Sequence, residues 1–321
     1  MHNQSASGQI RTWGLAVFVV GLYLSASAGA QQDKATSEDK VYVGILDDAR
    51  EEMRNWKSGV AEHRLIMPAF EKTGSEWQSI KSFLPRRVNW TVAFDGKNLG
   101  KVESQESPND SGADQINSSN SRAKQAIVTP SADIPSVGKP SQKFAGVFSF
   151  GPTNFRRPLV VVSKPYFADP DAWKRAQLPS EIAKLVRAGF RRQYPHVDRC
   201  KDETIAEHDW RFPDSALALR VAYASNKNSF LVAAHLDAGD CGWGGDPDDP
   251  IDTFVDQWFF VAPDHTVRRI GGFGELLDAG DYDNDGRSEL IFFSMRSENS
   301  DAYDLVYDNF RKKVDIEVGY H

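Results

Sequence analysis

Asp281-Tyr282-Asp283-Asn284-Asp285-Gly286-Arg287-Ser288-Glu289 is the stretch on which the reading of this chain turns. Its carboxylates stand at positions 1, 3, 5 and 9, with glycine at position 6. A hard cation such as Ca²⁺ takes six to eight oxygen ligands at about 2.3–2.6 Å, and a tightly curled loop of alternating aspartates supplies them. Glycine lets the chain turn back sharply after the third aspartate. The expected ligands are Asp281, Asp283, Asp285, Arg287 through its carbonyl, and Glu289. An acidic surface turn that binds nothing is the alternative, and five matched features at fixed spacing argue against it.

The flanks decide what kind of loop this is. An EF-hand carries helices on both sides and a bidentate glutamate at position 12. Here position 12 is Phe292, inside the apolar run Leu290-Ile291-Phe292-Phe293, and Leu276-Leu277 precedes the loop. A strand, a carboxylate loop and a second strand are therefore expected. That arrangement resembles the FG-GAP (VCBS) repeat of integrin-like β-propeller blades. The resemblance rests on Phe273-Gly274, on the run from Ala279 to Gly286, on Glu289-Leu290-Ile291, and on the following strand Tyr303 to Asp308. It implies Ca²⁺ held between two strands of a blade by the residues named above. Glu289 departs from the aspartate common at the ninth position but keeps a carboxylate. There is one clear copy, at about 273–318, whereas such repeats usually recur and stack. The expected fold class is mainly β with one clear helix, in antiparallel sheets, with a propeller-like C-terminal region.

Working outward, the C-terminal third is dense in strand-like runs: 216–224, 229–237, 257–262, 266–270, 275–277, 289–294, 303–308 and 314–318. Tight polar or glycine-containing turns separate many of them, as in a sandwich, barrel or propeller. Over 179–194 the period changes. Ile182, Leu185, Val186 and Phe190 share one helical face, proline stands near the start and arginines near the end. The N-terminal part, 41–102, reads as antiparallel β. Its strongest signal is Asp95-Gly96 between an alternating run at 88–94 and a return at 99–102. Residues 103–143 turn rich in Ser, Asn, Asp, Gln and Pro without an aromatic, and a disordered loop or linker is expected there. A β-rich region, 144–321, would follow.

Residues 1–30 read as a secretory signal peptide. Arg11 precedes the apolar run Trp13 to Leu24, and small residues lead to Ala30. Residues 31–40 read as a disordered tail. Cleavage would place the protein in the periplasm or outside the cell, with no membrane span left. Losing Arg11 shifts the formal net charge from −7 to −8. An acidic balance argues against nucleic acid as a partner and suits cation binding. Cys200 and Cys241 are the two cysteines, and an exported pair is most often a structural disulfide. Two free thiols or soft-metal ligands are the alternative.

Other constellations carry less. Residues 237–256 hold Asp237, Asp240, Asp246, Asp248, Asp249, Asp252 and Asp256 without a Lys or Arg, at irregular spacing around Trp243. A second Ca²⁺ site, a binding loop or a solvated loop all fit. His235-Leu236-Asp237 puts an imidazole and a carboxylate on one side of a strand, and Glu207-His208-Asp209 clusters three titratable groups. No complete catalytic motif accompanies either. The expectation is an exported, non-enzymatic, calcium-binding β protein that acts as a binding or scaffold module for a protein or glycan ligand. An exported hydrolase using His235 and Asp237 is the alternative.

Overall fold

The computed structural model describes residues 40–48, 64–80, 87–106, 126–128, 158–200, 206–239, 255–297 and 300–319. Among these the architecture is mainly β, with antiparallel pairings throughout and one α-helix.

The N-terminal sheet contains β1 (Val41–Asp48), β2 (Arg64–Thr73), β3 (Glu76–Ser79), β4 (Arg87–Phe94), β5 (Lys97–Glu106), β6 (Ala126–Val128) and β7 (Leu159–Val162). Its order is β1-β7-β4-β5-β6-β2-β3, and β1 also pairs with β2, so the pairings return to the strand they began from. The β4–β5 hairpin turns on Asp95 and Gly96, with φ of 53° and 69°. Positive φ at both central residues gives the turn a twist that matches the flanking strands. Period-2 alternation splits the sheet into two apolar faces. Tyr42, Leu46, Ile66, Val88, Trp90, Val92 and Val161 pack together on one. Trp90 Nε1 meets its hydrogen-bonding need there by donating to Ser104 Oγ at 2.8 Å. Val43, Ile45, Phe70, Trp77, Val160 and Val162 point the other way.

The C-terminal part consists of two meanders in strict sequence order. The first runs β11 (Leu217–Ala224), β12 (Phe230–Leu236), β13 (Asp256–Val261) and β14 (Val267–Phe273), with the short β8 (Lys174–Arg175) added beside β11. The second runs β15 (Glu275–Gly280), β16 (Glu289–Ser297), β17 (Ser300–Tyr307) and β18 (Lys312–Gly319). The four-stranded sheet is packed on both faces. Leu277, Ile291, Tyr303 and Leu305 meet the second face of the N-terminal sheet. Leu276, Leu290, Phe292 and Val306 meet Tyr223, Leu231, Ala233 and Trp258 of the other meander. Burial on both sides explains why Leu290 to Phe293 of β16 and Leu305 to Tyr307 of β17 read as continuous apolar runs rather than alternating ones. At the far edge, β18 presents exposed Lys312, Lys313, Asp315 and Glu317, charges that discourage further pairing.

Helix α1 (Ser180–Gln193) covers the opposite face of the first meander. Ile182, Val186 and Phe190 sit against Val232, Ala234, Phe259 and Val261. Two of its basic residues tie down the chain that leads into β11. Arg187 donates to the Asp214 and Leu217 carbonyls at 3.1 and 2.5 Å. Arg191 donates to the Phe212 carbonyl and to Asp214 Oδ1 at 3.0 and 2.5 Å. A two-stranded ribbon, β9 (Val197–Cys200) with β10 (Ala206–Trp210), follows the helix.

The helix and the eight C-terminal strands lie where the sequence places them, within a few residues. The 103–143 stretch differs in part. β5 continues to Glu106, paired with β4 as far as Gln105, and Ala126-Ile127-Val128 pairs with both β2 and β5. Three consecutive apolar residues suffice for a short strand when two edges flank it. β7 follows that stretch in sequence, yet it pairs with β1 and β4 of the N-terminal sheet. The expected leader at 1–30, the expected tail up to residue 39, the rest of 107–157 and Cys241 lie outside the described residues.

Candidate metal centre

The loop between β15 and β16 brings Asp281, Asp283 and Asp285 together, each offering one carboxylate oxygen within 4.8 Å of the others. Oxygens bound to one Ca²⁺ at about 2.3–2.6 Å stand no further than roughly 5 Å apart, so this spread fits a single ion. Backbone amides hold the carboxylates in place. Asp285 N donates to Asp281 Oδ1 and Asp283 Oδ1, both at 2.9 Å. Gly286 N donates to Asp281 Oδ2 at 2.8 Å, and Arg287 N to Asp285 Oδ1 at 2.9 Å. Gly286 has φ +85°, and a Cβ there would meet nothing within 4 Å. Conformation rather than space therefore calls for glycine at that position.

Glu289 stands outside the converging group of three. It is buried, and its Oε2 accepts the Tyr282 amide at 2.8 Å, closing the loop from inside. Burial raises its pKa well above the ordinary carboxylate value, and the nearby charges of Asp283, Asp285 and Asp281 push it further. Burial also raises Asp281. A cluster of hard, mutually repelling oxygens is the donor set that a divalent cation neutralises.

Residues with no local signature position the loop. Tyr282 is fully buried, donates its hydroxyl to Asp278 Oδ2 at 3.1 Å, and stacks on Phe167 at 5.5 Å. Phe167 lies so close to Gly280 that a Cβ there would stand 2.1 Å from its ring. Asp281 N donates to the Ala168 carbonyl at 2.8 Å, and Ser288 Oγ donates to Asp169 Oδ1 at 2.8 Å. The same Asp169 carboxylate accepts the amides of Asp171, Ala172 and Trp173. Residues 167–173 thus form a strap around the loop. The Asp169-Pro170 pair is a turn signal, although nothing in its spacing links it to Ser288, 119 positions away. Lys72 of β2 is the second unforeseen neighbour. Its ammonium pairs with Asp283 Oδ2 and lies 5.8 Å from the Trp77 ring centroid. A single positive charge from the N-terminal sheet thereby answers part of the loop's negative charge.

The other candidate groups have different partners from those their spacing suggests. His235 Nδ1 lies 3.1 Å from Asp256 Oδ1 on the neighbouring strand, not against Asp237. Asp237 is exposed, and its Oδ1 accepts Gly239 N at 3.4 Å. Asp256 also pairs with Arg220 at 3.3 Å. His208 and Asp209 tie β10 to its neighbours, through Asp198 at 2.8 Å and His196 at 3.0 Å, and Glu207 pairs with Arg199 at 2.7 Å. Cys200 closes β9, and its expected partner Cys241 and most of the 237–256 acidic stretch lie outside the described residues.

Comparison of the chain with protein-family models, curated proteins and solved structures finds no match.

Proposed function

We propose that this chain is an exported, calcium-binding β protein that acts as a binding or scaffold module for a protein or glycan ligand, in the periplasm or outside the cell. The observation that carries this reading is the convergence of Asp281, Asp283 and Asp285 within 4.8 Å on a loop whose amides already hold the carboxylates inward. The Arg287 carbonyl and Glu289 would complete an all-oxygen set suited to Ca²⁺. Bound there, the ion would supply charge neutralisation, and the protein would use it to pin the β15–β16 turn against the 167–173 strap and β2. Two consecutive four-stranded meanders packed face to face support the propeller-like part of the reading.

Calorimetric titration of the purified chain with CaCl2 and MgCl2, together with thermal melts in CaCl2 and in chelator, tests it. Saturable Ca²⁺ binding and a higher melting temperature in CaCl2 are expected. At about a hundred times the dissociation constant, Ca²⁺ would add about 2.7 kcal/mol of stability. Asp283→Ala and Asp285→Ala should each abolish the response. A response that survives both substitutions removes the site assignment.

A further inference from the structure

Four turns meet around one cavity of about 380 Å³: those at 225–229, 262–266 and 308–311, and the C-terminal end of the metal loop. That volume lies in the range of small-ligand sites. In the chain as a whole acidic residues outnumber basic ones, 45 to 38. Around this cavity the balance reverses, with Lys227, Arg268, Arg287 and Arg311 set against Asp171 and Asp264.

The two carboxylates are already committed. Asp171 answers Lys227 at 2.5 Å, and Asp264 Oδ1 accepts the Thr266 amide at 2.9 Å. The three arginines are not neutralised to the same degree. Arg268 forks onto the carbonyls of Phe310 and Asn309 at 2.6 and 2.5 Å, partners that orient a guanidinium without cancelling its charge. Burial and the like charge of Arg311 lower its pKa, and an arginine stays protonated regardless. Among the described residues the Arg287 side chain reaches only Asp308, at 3.9 Å. The exposed Arg311 side chain forms no hydrogen bond or ion pair among the described residues.

The apolar part of the wall is aromatic. Phe260 and Phe310 pack edge to face at 5.2 Å, and Trp173 meets them at 6.5 and 6.0 Å. Trp173 also carries a buried indole Nε1–H without an acceptor among the described residues, a donor that a ligand oxygen or a water would satisfy. Ser225 Oγ accepts the Lys227 and Ser229 amides at 3.1 Å, which leaves its proton to donate. The turn that presents Phe310 holds Asp308, Asn309 and Phe310 at φ of 53°, 53° and 62°. Non-glycine residues adopt this conformation only at a cost, and such residues gather at ligand clamps.

The geometry points to a binding site for a small anionic ring compound of the acidic-saccharide type. Its carboxylate, sulfate or phosphate is held by Arg268, Arg287 and Arg311, and its ring lies against Phe260 and Phe310. Guanidinium forks match such anions in a bidentate way, and aromatic edges and faces suit the apolar side of a ring. Arg287 belongs to both sites, since its carbonyl is the candidate metal ligand and its side chain lines the cavity. Ca²⁺ is therefore expected to tighten anion binding, a link that rests on the metal reading above.

The test is calorimetry on the purified chain at low salt, with D-glucuronate, glucose 6-phosphate and glucose 6-sulfate as probes. Neutral glucose and inorganic phosphate are the controls. At least one acidic sugar should bind saturably, more tightly than inorganic phosphate, while glucose gives no saturable heat. Losing one charge-assisted contact in Arg287→Ala or Arg311→Ala should weaken binding about tenfold or more, with melting temperature unchanged. No saturable binding of any acidic sugar, equal binding of inorganic phosphate, or unchanged affinity in the Arg287→Ala, Arg311→Ala double variant overturns the site. The same titrations in chelator and in Asp283→Ala separate the two readings. Acidic-sugar binding that is indifferent to both conditions, yet lost in Arg311→Ala, supports the cavity and overturns its link to the metal loop.

Discussion

The N-terminal sheet and the C-terminal meanders are built from similar strands by opposite routes. In the meanders every strand from β11 to β14, and again from β15 to β18, pairs with its sequence neighbour. In the N-terminal sheet β1 pairs with β7, more than 100 residues on, and β6 inserts between β5 and β2. Short hairpins close small loops, whereas the N-terminal pairings close long ones at greater entropic cost. The meanders are therefore assembled by local rules. The N-terminal sheet depends on distant segments arriving together, and pairings of that kind form slowly.

The largest expected effects ask whether the two regions unfold as one. Trp90 lies at the centre of the N-terminal sheet, and Phe292 lies between the meanders, 4.5 Å from Phe273 and 5.0 Å from Trp258. Replacing either with alanine should cost about 3–5 kcal/mol in urea unfolding. Because the four-stranded sheet shares a core with both neighbours, each variant should shift one common transition. Two separable transitions would break the picture of a joined stack. Gly280→Ala probes the strap that leads from β7 into the C-terminal part. The added methyl meets the Phe167 ring, and overpacking of this kind costs about 1–3 kcal/mol. An unchanged urea midpoint would mean that the strap yields freely.

A pH series sharpens the contrast further, because the raised carboxylates lie in the meander loop. Glu289 has a folded pKa above its ordinary 4.5. Its contribution is fully favourable below that value and is lost as pH rises through the folded pKa, where burying the charge penalises the native state. In chelator, melting temperature should fall as pH is raised from about 4.5. Added Ca²⁺ should flatten that fall, and parallel profiles with and without Ca²⁺ would contradict the proposed part of Glu289 in the ligand set. The smallest effect concerns a polar tie between the regions. Tyr307 on β17 donates to Glu76 Oε2 at 2.9 Å, and burial with this acceptor pushes its pKa up to about 12. Tyr307→Phe should lower the melting temperature by roughly 1–3 °C. A drop many times larger would make that tie a principal joint.

The same contrast explains what could be read from residues alone. The alternation in β4, the Asp95-Gly96 turn, the helix face of Ile182, Val186 and Phe190, and the carboxylate spacing at 281–289 are all local patterns. Their physics is complete within a dozen residues. The strand, the turn and the helix face appear in the structure where expected, and of the four carboxylates Asp281, Asp283 and Asp285 converge while Glu289 stands apart. What stayed hidden involves partners far apart in the chain. Lys72 reaches Asp283, Phe167 stacks on Tyr282, and β7 slots between β1 and β4. His235 shows the limit in miniature. Strand periodicity offers Asp237 as its partner, but β12 ends at Leu236 and the carboxylate beside the ring comes from Asp256 across the ladder. A period states which face a side chain shares, and only the fold states what lies opposite.

The double-sided packing of the four-stranded sheet has a consequence in time as well as in energy. β16 and β17 are covered on both faces by neighbouring layers and on both edges by β15 and β18. Their amides have no local route to water and open only when the whole molecule does. In deuterium exchange these two strands should therefore be the last to label, at a rate that reports global unfolding, while β18 with its charged edge labels earlier.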